Sequence, residues 1–289
     1  MEKKLTAQGP KNRKSYTVTL PLEWVKAQKL NQTKTVELNI VQNKIVISLL
    51  NEIKEKVVLD AKVYGDNLRK IIPGLYRLGV EEIKIKYEKG EDVLKITKII
   101  ETKLIGFQVL EQGKEYLIIR SLTKESEEDF RIILRRIFLL LLELVVSTDK
   151  YEISATEANI SKLINYCQRI ISKKGHSDYQ KTPYYYLLLD RLEKLKDEFV
   201  WLSETNFEKN KAVAKDVLEL QKMLRTSYEL IYSFNNKKFA DLQERTYVFK
   251  QKYKLKESLL REDVYVHNIA RILNSLTGDI LGIVQSNLL

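Results

Sequence analysis

Two groups of residues in this chain have types and spacings suited to chemistry. The first is basic and lies at the start: Lys3, Lys4, Lys11, Arg13 and Lys14. Cations gathered this closely suit contact with phosphate oxygens. Arg13 is the strongest candidate for directed hydrogen bonds, because a guanidinium binds a phosphate bidentately. The plainer alternative is a solvated basic tail. The second group is acidic: Asp190, Glu193 and Asp197, spaced three and then four apart. On a helix that spacing puts them on one stripe. Three carboxylates on one stripe offer the oxygen ligands that iron, manganese, magnesium or calcium take. The plainer alternative is pairing with Arg191, Lys194 and Lys196 on a wet face.

Enzyme constellations are missing from the sequence. It has no Gly-rich loop followed by Lys-Ser/Thr, no nucleophile elbow and no zinc-protease helix. The two histidines, His176 and His267, have no carboxylate at ligand spacing and no nucleophile to activate. The single cysteine, Cys167, sits among apolar helical neighbours and reads as a small core residue. The expectation is a non-enzyme.

The chain that must position these groups has 289 residues, enough for about two domains. It is 44% hydrophobic and 31% charged, with only 10 Gly and 4 Pro, a composition that favours packed helices over long loops. The net charge is +11. Residues 1–55 carry ten Lys/Arg against five Glu, the largest basic excess per residue, and such an excess suits a polyanionic partner. One cysteine suits a reducing cytoplasm. No apolar run follows Met1-Glu2-Lys3-Lys4, so no secretory leader is expected. Ile132 to Val146 contains five apolar residues in a row after Ile137, but Arg135, Arg136 and Glu143 flank them. That segment reads as a buried helix, too short and too interrupted to span a membrane.

Three regions follow from the hydrophobic pattern, and together they predict an α+β protein. In residues 1–52, Tyr16, Val18 and Leu20 alternate with Ser15, Thr17 and Thr19 as in a half-buried strand. Pro21 opens a short helix over Leu22 to Lys29. Strands are expected at Lys4 to Ala7, Thr35 to Ile40 and Lys44 to Leu49, with a tight turn at Val41-Gln42-Asn43. So small a β unit buries too little alone, which points to pairing with a second copy. Residues 56–122 read as a small α+β region linking the two ends. It has an extended stretch at Val57 to Val63, a helix at Asn67 to Leu78 interrupted or restarted at Pro73-Gly74, and a basic-faced strand at Glu82 to Tyr87. Val93 to Glu101 is given no element, and a hairpin is expected at Phe107 to Glu111 and Tyr116 to Ser121. Residues 123–289 read as about six long helices, in one bundle or in two three-helix bundles in series.

The first region also resembles a known family. Ser15-Tyr16-Thr17-Val18-Thr19-Leu20-Pro21-Leu22-Glu23-Trp24-Val25, then Leu30 and the two strands, is similar to the SpoVT/AbrB/MazE family of DNA-binding domains. The resemblance covers about residues 11–50. It implies a barrel in which two chains swap hairpins, and it implies DNA contact by Lys11, Arg13 and Lys14, with Lys3 and Lys4 as outer candidates. The remainder resembles the PhoU-like proteins of archaea. The likeness lies in Leu104-Ile105-Gly106-Phe107-Gln108-Val109-Leu110-Glu111-Gln112-Gly113-Lys114, in Leu134-Arg135-Arg136-Ile137, and in Leu192-Glu193-Lys194-Leu195-Lys196-Asp197. That last stretch is similar to the family's E-x-x-x-D run, which implies a divalent metal or iron held at Glu193 and Asp197, with Asp190 beside them. Glu157 on the second bundle helix is the matching acid, and the position four later is Ser161. On the last helix, Ala270 and Asn274 stand at the matching positions.

Together these readings lead to an expected cytoplasmic transcriptional regulator that binds double-stranded DNA as a homodimer and is not inserted in a membrane. The resemblance implies a link to phosphate homeostasis. The alternative is an adaptor that binds a phosphate-transport ATPase or a sensor kinase, with the first region acting as a dimeriser.

Overall fold

Short alternating strands near the start form hairpins rather than a sheet with a covered face. In the computed structural model, the described residues are 2–10, 13–33, 35–41, 44–48, 56–123, 125–254 and 258–285. Residues 1–53 and 54–289 form two compact units. In the first, β1 (Thr6–Gln8) pairs antiparallel with β2 (Ser15–Thr17), with Ala7 opposite Tyr16. After Pro21 come α1 (Leu22–Ala27) and a single turn, α2 (Leu30–Thr33). The helix expected over Leu22 to Lys29 stops early, because Lys29 turns to a φ of 53° and restarts the chain. Then β3 (Glu37–Val41) pairs with β4 (Lys44–Ser48), with Leu38 opposite Ile47 and Ile40 opposite Ile45. Gln42 and Asn43 of the expected turn lie outside the described residues. Among the described residues the two hairpins are separate two-stranded sheets.

The second unit opens with a four-stranded mixed sheet. β5 (Lys56–Asp60) is followed by α3 (Ala61–Tyr64) and α4 (Leu68–Arg77), and then by β6 (Glu82–Lys86), which runs parallel to β5. α5 (Gly90–Lys103) leads to the hairpin of β7 (Phe107–Gln112) and β8 (Tyr116–Ser121), and the order is β5-β6-β8-β7. Period-two alternation sends Leu59, Ile83, Ile85, Leu117, Ile119 and Phe107 into the core. Lys84 and Lys86 take the outer face of β6 as expected, and the Lys84 ammonium lies 4.1 Å from the centre of the Tyr116 ring.

Six long helices complete the unit: α6 (Glu127–Leu144), α7 (Lys150–Lys174), α8 (Thr182–Ser203), α9 (Lys211–Tyr232), α10 (Asn236–Lys254) and α11 (Arg261–Gln285). Side chains cap the first two starts. Ser126 and Asp129 close a capping box at α6, with bonds of 3.1 and 3.2 Å. Asp149 accepts from the Tyr151 and Glu152 amides at α7. α6 packs on α7, α8 and α9, while α11 packs on α8, α9 and α10. Those contacts cross any division into two serial three-helix bundles, so the helices make one bundle. No helix of the described residues is long and apolar enough to cross a membrane.

A polar stripe on α7 ties sheet to bundle. Lys162 donates to the Glu101 carbonyl at 2.7 Å and Asn165 to the Lys103 carbonyl at 3.1 Å, which satisfies the end of α5. Arg169 donates to the Tyr76 and Val80 carbonyls, each at 2.8 Å, at the end of α4. Helix C-termini leave carbonyls unpaired and carry partial negative charge, so cationic donors suit them. The Arg169 guanidinium also donates to Glu125 at 2.6 Å and lies against the rings of Tyr76 and Phe107.

Candidate functional site

The basic group is positioned by the first hairpin. Its turn depends on Gly9, whose φ is 103°. A Cβ there would lie 2.6 Å from the Arg13 carbonyl oxygen. The Arg13 amide donates to the Pro10 carbonyl at 2.9 Å, so Arg13 is set within the turn. Ser15 and Thr17 hydroxyls then brace β2 to the Gln8 and Thr6 carbonyls, each at 3.3 Å. Arg13 and Lys14 therefore stand at the closed end of the hairpin, and both are exposed. Among the described residues neither is paired with a carboxylate. Lys3 and Lys4 are also exposed, but they precede β1 and so lie toward the hairpin's open end. Lys11 lies outside the described residues.

Both hairpins of this unit also carry exposed apolar side chains. Tyr16 and Ala7 are opposite one another, and Val18 follows Tyr16 by two, so they share the alternation of one face. Leu38, Ile40, Ile45 and Ile47 share one face of the second hairpin by the same rule. Ile40 is 80% exposed, Ile45 67% and Leu38 62%. Leu5, Tyr16, Val18 and Leu22 are exposed too. Leu30 is the one buried apolar side chain of this unit among the described residues. Each large aliphatic side chain gains about 1.5–3 kcal/mol when fully covered.

The acidic group divides. Asp190 does not join the others: it accepts from Lys194 at 2.7 Å on the exposed side of α8. Arg191 turns instead to Asp279 on α11. Glu193 and Asp197 meet Glu157 across the α7–α8 contact, and the Lys196 ammonium lies among them. Lys196 Nζ is 2.8 Å from Glu193, 2.9 Å from Asp197 and 3.9 Å from Glu157. Ser161 completes the group, accepting from Lys196 at 2.7 Å and donating to Glu193 at 2.8 Å. Lys196 is only 2% exposed. Burial works against its charge, but Glu193 and Asp197 outweigh burial and hold the ammonium above the ordinary lysine range. Among the described residues no three acidic, histidine or cysteine side chains are arranged to hold a metal ion.

Of the three expected pairings, those of Lys194 and Lys196 occur and that of Arg191 does not; the acids stay partly exposed, and only Lys196 is buried. A sequence signal for this existed. Lys196 falls four after Leu192 and three before Phe199, both buried, so it shares their stripe. An open cleft of about 670 Å³ reaches Glu157 from the end of the bundle, between Ser154, Val200 and Ser203.

The other titratable candidates are structural. His176 accepts from the Asp178 amide at 2.9 Å and stacks on Tyr185. Cys167 is buried, and desolvation pushes its thiol far above the ordinary range. Compared with known proteins, the chain matches no family model, no curated protein and no solved structure.

Proposed function

We propose that this chain is a DNA-binding regulator that acts as a homodimer, with the first unit binding DNA and the bundle receiving a signal or partner. The observation that carries the reading is the conjunction, among the described residues of the first unit, of exposed apolar hairpin side chains with the exposed Arg13 and Lys14. A second copy is the cover such faces call for, because two equal hairpin faces can bury one another under twofold symmetry. Pairing would complete a barrel of the swapped-hairpin kind and would present Arg13 and Lys14 twice. Two symmetric basic turns suit a pseudo-palindromic duplex. The resemblance to SpoVT/AbrB/MazE domains supports the same arrangement, and the PhoU-like resemblance of the remainder adds phosphate homeostasis as the process regulated.

The alternative reading, an adaptor for a transport ATPase or kinase, draws on one end of the bundle. There Trp201 is tilted against Tyr265, and Leu260 and Val264 are exposed a turn apart. A gel-shift comparison of the full chain with Ile40→Asp separates the two. The regulator reading expects wild-type binding to duplex DNA and its loss in a monomeric Ile40→Asp chain. DNA binding absent in both, with partner capture intact, would favour the adaptor.

A further inference from the structure

We infer that Lys196 is the resident cation of the α7–α8 carboxylate cluster, standing where a bound metal ion would have to sit. An ammonium has three N–H donors and accepts nothing. Here three oxygens meet it: Ser161 at 2.7 Å, Glu193 at 2.8 Å and Asp197 at 2.9 Å. Its donors are fully used. Glu157, at 3.9 Å, adds attraction without a hydrogen bond.

A divalent ion needs several oxygens about 2.0–2.6 Å from one common point. The point these oxygens share is taken by the Lys196 nitrogen. The lysine cannot easily yield it, since its stem is buried on the same stripe as Leu192 and Phe199. Ser161 fits the same scheme. It stands four after Glu157, where a second acid would complete an acidic pair, and it serves instead as a neutral relay between Lys196 and Glu193. The residues therefore do not fit a bound metal. The cluster joins α7 to α8 with the chain's own charges.

Elemental analysis of the purified full chain and thermal unfolding with EDTA or Mn²⁺ test this directly. The expected result is substoichiometric metal and a Tm that neither EDTA nor Mn²⁺ shifts. Lys196→Met should lower Tm by several degrees or prevent folding, because it leaves Glu193 and Asp197 without their cation. Lys194→Met, which breaks only the exposed pair with Asp190, should leave Tm nearly unchanged. Stoichiometric metal in the native protein, a Tm lowered by EDTA, or a Lys196→Met chain as stable as wild type would overturn the inference. None of these readouts involves DNA, so the result stands apart from the DNA-binding reading.

Discussion

Arg169 carries the junction between sheet and bundle on one side chain. It is 1% exposed and bonds two carbonyls of the α4 end together with Glu125. Removing one partner of a buried pair costs about 3–5 kcal/mol. Arg169→Ala should therefore lower the unfolding free energy by a comparable amount, measured by urea titration followed by circular dichroism. Glu125 gives this junction a pH dependence. Burial raises its carboxyl, but hydrogen bonds from Lys173 and Arg169 outweigh burial and hold it below the ordinary range. A depressed carboxylate stabilises the fold above its unfolded pKa of about 4.3 and loses that contribution as pH falls through the folded value. The urea midpoint should fall more steeply between about pH 5 and about pH 3 in wild type than in Glu125→Gln. At this scale the basic turn was legible in sequence, because charge density needs no partner to be seen. Arg169 was not, since its partners Tyr76, Val80 and Glu125 are distant in sequence. Lys196 was read as a surface pair because the acids beside it drew attention from the apolar stripe it shares.

Among elements, the first hairpin depends most on a single position. An alanine at position 9 would hold a strained positive φ and meet the Arg13 carbonyl, at a cost of about 1–3 kcal/mol. Gly9→Ala should weaken DNA binding in the gel shift while the main thermal transition, set by the larger unit, stays in place. Element types were mostly legible, and the departures have local causes. Pro73-Gly74 was expected to interrupt or restart a helix, yet α4 runs through both. The missing hydrogen bond is outweighed because Ile72, Pro73 and Tyr76 are all buried. β-branched Val, Ile and Thr weaken helix preference over Val93 to Glu101, which left that stretch without an assigned element. Burial of Ile96 and Ile100, one turn apart, decides for α5. The hairpin of β7 and β8 was readable because it is set within a few residues.

For the whole molecule, the proposed DNA binding requires a pair of chains. Covering Leu38, Ile40 and Ile45 between copies gains about 1.5–3 kcal/mol for each side chain fully buried, with the cost of association set against the sum. Sedimentation equilibrium should find a dimer for the full chain and a monomer for Ile40→Asp with Ile45→Asp, the bundle's helical signal being unchanged. The small size of the first region is what suggests a second copy from the sequence. The union of the middle region and the bundle in one unit was not legible there, because it rests on side chains of α7 reaching carbonyls far away in sequence. The most direct measurement is the salt dependence of duplex DNA binding, followed by fluorescence anisotropy for wild type and for Arg13→Ala with Lys14→Ala. Each phosphate neutralised contributes about −0.9 to the slope of log affinity against log salt. With two cations lost from each of two chains, the account predicts a slope shallower by about 3 to 4 units and a weaker complex. No binding at low salt, or a slope that the double substitution leaves unchanged, would contradict it.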